Sequence, residues 1–314
     1  MEFRNLGRSG LQVSVAGLGC NNFGMRCDKE QSAAVVRKAL ELGVNFFDSA
    51  DIYGGGKSEE FLGAALGSNR PQVIVATKFA SPMGQGPLHR GGSRRYIMQA
   101  VEASLRRLGT EYIDLYQYHF PDVRTPMEET LRALDDLVRQ GKVRYIGSSN
   151  FAGWQIAEAH WLARTEHLTP FVSAQNEYSL LNRSIERELI PACEQYGIGV
   201  LPYFPLASGF LSGKYRPGEA PPQGTRLAVW GQRGAEILSE RNFETLAKLE
   251  AFAQARDRTI LELALGWLAS RPLVPSVIAG ATKPEQVEQN VKAVEWRLTP
   301  DELAEVDGLT AKEA

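Results

Sequence analysis

Eight short apolar segments with the character of buried strands alternate along this chain with stretches of helical periodicity. The apolar segments lie at residues 15–19, 46–47, 73–77, 113–119, 143–147, 172–176, 199–203 and 274–280. Regular alternation of strand and helix predicts an α/β protein with a parallel sheet. Eight such units within about 300 residues favour a closed (β/α)8 TIM barrel over an open sheet.

The eight units are expected to form one domain. The chain has 314 residues, and no linker or change of composition divides it. We therefore predict a single barrel domain over residues 1–314, with a short N-terminal hairpin at 3–14 and extra C-terminal helices. An open doubly wound sheet would usually carry G-x-G-x-x-G after its first strand. Here G-L-G at 17–19 is followed by C-N-N, so the third glycine is absent.

Composition excludes several classes of function. The 35 Lys and Arg residues nearly balance the 37 Asp and Glu residues, so no basic excess points to nucleic acid as a partner. The three cysteines, Cys20, Cys27 and Cys193, form neither a disulfide framework nor a zinc spacing, which suits a reducing compartment. No stretch has the apolar length of a signal core or a membrane span. We expect a cytoplasmic protein without a metal site, and the sequence leaves its oligomeric state open.

Chemically useful side chains stand where the predicted strands end. Asp48, Lys78 and His119 close three consecutive strand segments, and Tyr53 lies one loop beyond Asp48. In a (β/α)8 barrel these carboxyl ends surround the active site. A phenol titrates near pH 10, so Tyr53 needs a cation to act as an acid at neutral pH. Lys78 can supply that cation while Asp48 neutralises and holds it, and His119 can donate a hydrogen bond to a substrate oxygen.

Longer motifs around these residues resemble the aldo-keto reductase superfamily over nearly the whole chain. The matching stretches are F-F-D-S-A-D-I-Y-G, V-A-T-K, D-L-Y-Q-Y-H, I-G-S-S-N-F, Q-N-E-Y, Y-F-P-L-A-S-G-F-L-S-G-K-Y and I-A-G-A-T-K-P-E-Q-V-E-Q-N. The resemblance implies a bacterial-type NADPH-dependent reductase that acts on an aldehyde or ketone, or on the matching alcohol. It also implies a catalytic tetrad, with Tyr53 as proton donor, Asp48 and Lys78 as its tuning pair, and His119 orienting the carbonyl.

The resemblance further implies a site for NADPH, with NADH less favoured. The cofactor-binding residues that it implies are Gly19, Ser149, Asn150, Gln175, Tyr203, Pro205, Leu206, Ser208, Gly209, Leu211, Lys214, Gly280, Thr282, Lys283, Gln286, Gln289 and Asn290. Among these, Tyr203 corresponds to the aromatic residue that stacks on the nicotinamide, and Lys214 to a phosphate cation. Independently of the family, a helix N-terminus near Pro284 would suit an anion.

Four positions depart from the usual family pattern: Cys20, Phe204, Ala279 and Gln286. Gln286 stands where many members carry an arginine, which bears on the preference for NADPH. Thr282 and Lys283 remain as candidate contacts for the 2′-phosphate.

Two alternative functions stay open at this stage. A buried lysine at a barrel strand end can form a Schiff base, so Lys78 is also compatible with a lyase. An NADP(H)-binding regulatory subunit with little turnover is the other alternative.

The loops expected to set the substrate are residues 20–28, 80–93, 120–125 and 206–240. Three aromatic residues just beyond strand ends, Phe23, Phe120 and Phe151, are candidate apolar walls. In the 206–240 insert, Trp230 and Arg233 either line the pocket or pack on the barrel.

Overall fold

A small antiparallel hairpin opens the computed structural model, which describes residues 1–311. Strands β1 (Phe3–Asn5) and β2 (Gln12–Ser14) pair with Phe3 opposite Ser14. Leu6 and Val13 are fully buried and belong to the same apolar cluster as barrel residues such as Phe46. The hairpin therefore closes one end of the barrel interior.

Eight parallel strands form a nearly closed barrel. They are β3 (Ala16–Gly19), β4 (Phe46–Asp48), β5 (Ile74–Phe79), β6 (Ile113–Tyr118), β7 (Val143–Ser149), β8 (Phe171–Glu177), β9 (Gly199–Tyr203) and β10 (Val277–Gly280). The order in the sheet is β10-β3-β4-β5-β6-β7-β8-β9. At the seam, the Val200 amide of β9 donates to Leu273 O at 2.8 Å, close to the start of β10. This arrangement confirms the predicted (β/α)8 fold with its N-terminal hairpin.

Helices connect the strands and cover the outside of the sheet. They are α1 (Lys29–Glu41), α2 (Lys57–Leu66), α3 (Arg94–Leu108), α4 (Met127–Arg139), α5 (Gly153–Thr165), α6 (Leu189–Tyr196), α7 (Arg226–Val229), α8 (Gly231–Ile237), α9 (Glu240–Gln254), α10 (Ile260–Ala269), α11 (Pro284–Ala293) and α12 (Pro300–Leu309). Side chains cap two of these helices, since Asp28 accepts a bond from Gln31 N and Ser93 accepts one from Tyr96 N. Within residues 1–311 no helix combines the length and apolarity of a membrane span.

Some element boundaries differ from the sequence prediction, and prolines account for two of the differences. The last strand begins at Val277 rather than at residue 274, because Pro275 has no N–H to give to a sheet ladder. The helical stretch between the 172–176 and 199–203 segments begins only at Leu189, since Pro191 is tolerated within the first turn of a helix but not inside one. Strand β5 continues to Phe79, which places Lys78 inside the strand.

Helices α2 and α3 approach each other closely at Gly63. A Cβ added at Gly63 would lie 2.2 Å from the carbonyl oxygen of Leu108, at the C-terminus of α3. Backbone cannot move aside as a flexible side chain can, so only glycine allows this contact.

Gly63→Ala should therefore lower the free energy of unfolding by about 1–3 kcal/mol, because overpacking forces the two helices apart. The measurement is urea unfolding followed by circular dichroism. Gly10→Ala is the control, since a Cβ at Gly10 meets no atom within 4 Å. Equal unfolding midpoints for the two variants would contradict the role of this contact.

Candidate active site

A cavity of about 780 Å³ opens at the carboxyl ends of the strands. The sequence-predicted residues that line it are Gly19, Asp48, Tyr53, His119, Ser149, Asn150, Gln175, Tyr203, Pro205, Leu206, Ser208, Gly209, Lys214, Gly280, Thr282, Gln286, Gln289 and Asn290. Three others do not line it. Lys78 lies behind Asp48 and Tyr53, Leu211 is buried in the protein, and Lys283 is exposed at the start of α11.

Lys78 is a buried cation with a complete set of acceptors. Its side chain is 0% exposed, and its Nζ donates to Asp48 Oδ2 at 2.7 Å and to Ser49 O at 2.8 Å. A third, longer bond of 3.5 Å reaches Tyr53 Oη. Burial opposes the charged form, but the attraction of Asp48 and then of Tyr53 outweighs it and raises the pKa of Lys78. The ammonium is therefore held in its charged form beside the phenol.

Asp48 is anchored on both of its oxygens. While Oδ2 accepts from Lys78, Oδ1 accepts from Gln117 Nε2 at 3.0 Å and from Gln175 Nε2 at 2.9 Å. Gln117 was not singled out from the sequence. Its only signal there is that a glutamine interrupts the apolar strand β6. The two amides satisfy a carboxylate that is only 4% exposed and fix its orientation toward Lys78.

Tyr53 begins a tight turn between β4 and α2. Its neighbours Gly54, Gly55 and Gly56 have φ values of 58°, 66° and 99°, which side chains with a Cβ rarely adopt. The glycine run thus serves the turn, as the sequence suggested. Burial raises the pKa of Tyr53, and the Lys78 cation works in the opposite direction. Lys78 is therefore the group that makes this phenol a stronger acid than burial alone would allow.

His119 faces Tyr53 across the cavity. The two ring centroids lie 5.9 Å apart with an edge-to-face angle of 87°. Burial, together with the Lys78 charge, lowers the pKa of His119 to about 3, so the imidazole is neutral at physiological pH. Its Nδ1 lies 3.2 Å from Ser81 Oγ, and its ring stacks on Phe120. A neutral imidazole here can give one hydrogen bond to a substrate without taking up a proton.

Asn150 links His119 to Tyr203. Its Nδ2 donates to His119 O at 2.9 Å and to Ser149 Oγ at 3.1 Å, and its Oδ1 accepts from Tyr203 Oη at 2.7 Å. Asn150 also has a positive φ of 60°. The amide that the sequence assigned to the cofactor therefore also ties two walls of the site together.

Three cations gather where the 206–240 insert meets the cavity, and we call Arg26, Lys214 and Arg226 the cation cluster. All three line the cavity, and none has a carboxylate partner within the described residues. Burial lowers the pKa of Lys214, and repulsion from Arg26 and Arg226 lowers it further. Arg26 and Arg226 were not singled out from the sequence, although they lie within the predicted substrate loops 20–28 and 206–240. Unpaired positive charge facing a cavity suits a polyanion.

The far end of the cavity is formed by the start of α11. Lys283 is the N-cap residue of this helix and Pro284 its first residue, so a helix does begin near Pro284. Gln286 folds back so that its Oε1 accepts bonds from Thr282 N at 2.7 Å and from Thr282 Oγ1 at 3.2 Å. Gln286 therefore lines the cavity with its Oε1 already engaged by Thr282.

The expected aromatic walls are only partly present. Phe120 lines the cavity and is 50% exposed. The prediction was wrong for Phe23 and Phe151, because both are buried and neither lines the cavity. Phe151 packs edge-on against Tyr118. In the insert, Arg233 lines the cavity and pairs with Glu177 at 3.4 Å, whereas Trp230 is outside the lining. Ser81 and Pro82 also line the cavity, as expected for the 80–93 loop, and so does Ile52, which was not singled out from the sequence.

The side chain of Asp51 makes no hydrogen bond to Lys78 within the described residues. Both of its carboxyl oxygens are buried without a hydrogen-bond partner, and only its backbone N–H reaches Lys78 O, at 3.2 Å. Burial, and then the nearby Glu59 carboxylate, raise the pKa of Asp51 to about 8. In the described part of the chain, no cluster of three or more His, Cys, Asp and Glu side chains is placed to hold a metal ion.

An NMR titration tests the neutral state of His119. Its pKa of about 3 predicts that the ring stays neutral from about pH 8 to about pH 5, where an ordinary histidine would protonate. In that window the unfolded chain binds a proton that the folded chain does not, so the site loses stability as the pH falls below about 6.5. The urea-unfolded protein supplies the reference titration. A midpoint between about 5 and 7 in the folded protein would contradict the prediction.

Comparisons with known proteins agree with this geometry. Residues 16–311 match the sequence model of the Aldo/keto reductase family. A "Probable voltage-gated potassium channel subunit beta" of Oryza sativa subsp. japonica is 38% identical, over 98% of this chain and 96% of its own. The "Uncharacterized oxidoreductase YrpG" of Bacillus subtilis (strain 168) is 38% identical over 96% and 94%. The "L-glyceraldehyde 3-phosphate reductase" of Escherichia coli (strain K12) is 37% identical over 98% and 92%.

Members of the matched family generally use NAD(P)H and act on small-molecule carbonyl compounds. The match extends over nearly the whole chain and includes all the strands of the barrel. It thus confirms the resemblance that the motifs suggested: this chain belongs to the aldo/keto reductase family of oxidoreductases.

Proposed function

We propose that this protein transfers a hydride between NADPH and an aldehyde or ketone, with Tyr53 as the proton donor. The observation that carries the proposal is the buried Lys78 ammonium, which bridges the Asp48 carboxylate at 2.7 Å and the Tyr53 phenol at 3.5 Å. A phenol beside a fixed cation can release its proton at neutral pH and take it back.

The cavity suits a nicotinamide dinucleotide. Its volume of about 780 Å³ lies within the range of cofactor sites. The cation cluster can take up the pyrophosphate, and the ring of Tyr203 can pack on the nicotinamide. Thr282 and the N-terminus of α11 are the proposed contacts of the 2′-phosphate, with Lys283 as the nearby cation. The bound cofactor would supply the hydride.

The protein side of the reaction is proton delivery. Tyr53 protonates the carbonyl oxygen, and Lys78 stabilises the phenolate that remains. Asp48 keeps Lys78 in place through the whole cycle, since Gln117 and Gln175 hold its other oxygen. In the opposite direction Tyr53 accepts the proton of an alcohol. The proposed substrate is a small carbonyl compound or alcohol, and the buried, unpaired cysteines support a cytoplasmic location.

Two alternatives are weighed against this proposal. Several relatives are named as subunits of a potassium channel, which supports an NADP(H)-binding subunit with little turnover as the second candidate. A Schiff-base lyase needs a neutral amine, but the pKa of Lys78 is raised and its Nζ is occupied by Asp48. The lyase is therefore the weaker alternative.

Tyr53→Phe should lower kcat by at least about 10²-fold on a panel of aldehydes and ketones, because it removes the proton donor. The affinity for NADPH, measured by fluorescence titration, should change little. Tyr112→Phe is the matched control, since the Tyr112 hydroxyl makes no hydrogen bond in the described structure and lies before β6 at the other end of the barrel.

Unchanged turnover in Tyr53→Phe would overturn the assignment of the proton donor. Tight NADPH binding by the wild-type protein without turnover on any compound of the panel would favour the binding subunit. Trapping of a carbonyl compound on Lys78 by borohydride would favour the lyase.

NADPH should bind about 10- to 100-fold more tightly than NADH, the factor expected for one charge-assisted contact to the 2′-phosphate. Lys283→Gln should reduce this ratio and leave the affinity for NADH unchanged. Lys292→Gln is the control, because it removes the same charge from the last turn of the same helix, α11. Equal affinities for the two cofactors in the wild-type protein would refute a 2′-phosphate site.

A further inference from the structure

The buried contact between Ser81 and His119 has no role in the function proposed so far. We infer that Ser81 is a positioning residue that fixes the tautomer of His119, so that the Nε2–H of the ring points at the substrate carbonyl. The Ser81 side chain is buried at the edge of the cavity, with its Oγ 3.2 Å from His119 Nδ1. The catalytic consequence rests on the proposed function, whereas the tautomer itself does not.

The backbone before Ser81 bends in an unusual way. Strand β5 ends at Phe79, and the next residue, Ala80, has a φ of 90°. Residues with a Cβ rarely adopt such a conformation, and where they do the surrounding structure must hold it. The bend turns the chain out of the strand, so that the Ser81 hydroxyl reaches His119 at the end of the neighbouring strand β6. The unusual φ of Ala80 therefore brings the Ser81 hydroxyl beside His119.

Two hydrogen bonds hold the bend in place. The Gly91 amide donates to Ala80 O at 2.9 Å, and the Tyr96 hydroxyl donates to Ser81 O at 3.1 Å. Tyr96 lies in the first turn of α3 and is itself buried. The carbonyl groups of Ala80 and Ser81 are thus both held by hydrogen bonds from residues outside the strand. The hydroxyl of Ser81 therefore has a defined direction.

The hydrogen-bond inventory is the basis for assigning the ring proton to Nε2. A neutral imidazole has one N–H and one lone pair. The Ser81 hydroxyl has one hydrogen, and His119 Nδ1 is its only acceptor among the described residues. Donation to Nδ1 satisfies that hydrogen and leaves the ring proton on Nε2. Within residues 1–311 the other ring nitrogen, Nε2, has no hydrogen-bond partner, and His119 lines the cavity together with Tyr53.

The tautomer matters because a carbonyl oxygen only accepts hydrogen bonds. With the proton on Nε2, His119 donates to that oxygen and helps to place it near Tyr53. With the proton on Nδ1, a lone pair would face the oxygen and repel it. Since burial beside Lys78 keeps the ring neutral, His119 cannot offer two donors, and the choice of tautomer decides whether it assists.

NMR of the wild-type protein tests the tautomer directly and needs no activity. Two-bond proton–nitrogen correlation of ¹⁵N-histidine-labelled protein should show a protonated Nε2 and an unprotonated Nδ1 for His119. Its signals are assigned by their loss in His119→Gln. A protonated Nδ1 in the wild-type protein would overturn the inference, whether or not the protein reduces carbonyl compounds.

Kinetics of Ser81 variants test the consequence. Ser81→Ala should lower kcat about 10-fold, the loss typical of one buried hydrogen bond, with little change in KM or in the affinity for NADPH. Ser81→Thr keeps the hydroxyl and should restore most of the turnover. Unfolding midpoints show whether each variant is folded. If Ser81→Ala does not fold, Tyr96→Phe serves instead, because it releases only the Ser81 carbonyl and should lower kcat in the same direction.

The NMR and kinetic experiments together distinguish failure of the inference about Ser81 from failure of the proposed function. Wild-type protein without reductase turnover would overturn the proposed function and leave the NMR result as the test of the tautomer. An active wild-type enzyme whose Ser81→Ala variant keeps both its kcat and the Nε2–H tautomer would overturn the inference and leave the proposed function intact.

Discussion

The buried ion pair of Lys78 and Asp48 is the interaction on which the rest of the site depends. Two ions removed from water lose several kcal/mol of solvation each, and mutual attraction offsets this only when the remaining donors and acceptors are also satisfied. Here Lys78 also donates to the Ser49 carbonyl, and Asp48 also accepts from two glutamine amides. The pair is thus stable because residues on neighbouring strands supply its remaining hydrogen bonds. Its position requires those strands to keep their register.

The register of β4 and β5 explains why the pair forms at the mouth of the barrel. Asp48 lies opposite Ala76, and Lys78 follows two residues later on the same face of β5. Ala76 belongs to the apolar cluster inside the barrel, so Lys78 points into the barrel one layer above it. From there its amine reaches both Asp48 and the Tyr53 phenol. A shift of one residue would turn Lys78 toward the helices and leave the carboxylate without its partner.

The features that could be predicted from the sequence are those that depend on local pattern, and those that follow because the carboxyl ends of parallel strands lie together. Alternation and segment length are local properties, so the eight strands were found, and the ends of three of them located Asp48, Lys78 and His119. Contacts across the barrel are not local, and nothing in β6 alone indicates that Gln117 binds Asp48. The contact of Ser81 depends on a single backbone bend at Ala80. The prediction that Phe23 and Phe151 line the cavity was wrong, and Lys214 was the only member of the cation cluster singled out from the sequence. A position beyond a strand end does not fix the direction of a side chain.

Positive charge of two different kinds occurs in this site: Lys78 lies behind the cavity wall, and the cation cluster lines the cavity. Lys78 is buried and paired with Asp48, and its charge works against the rise in the pKa of Tyr53 that burial causes. The cation cluster has no carboxylate partner within the described residues, and the pKa values of Lys214 and Arg226 are lowered first by burial and then by repulsion from Arg26. A bound polyanion would relieve that repulsion, so its binding would stabilise the folded protein. Under the proposed function, the Lys78 charge supports proton delivery by Tyr53, and the cation cluster binds the phosphates of the cofactor.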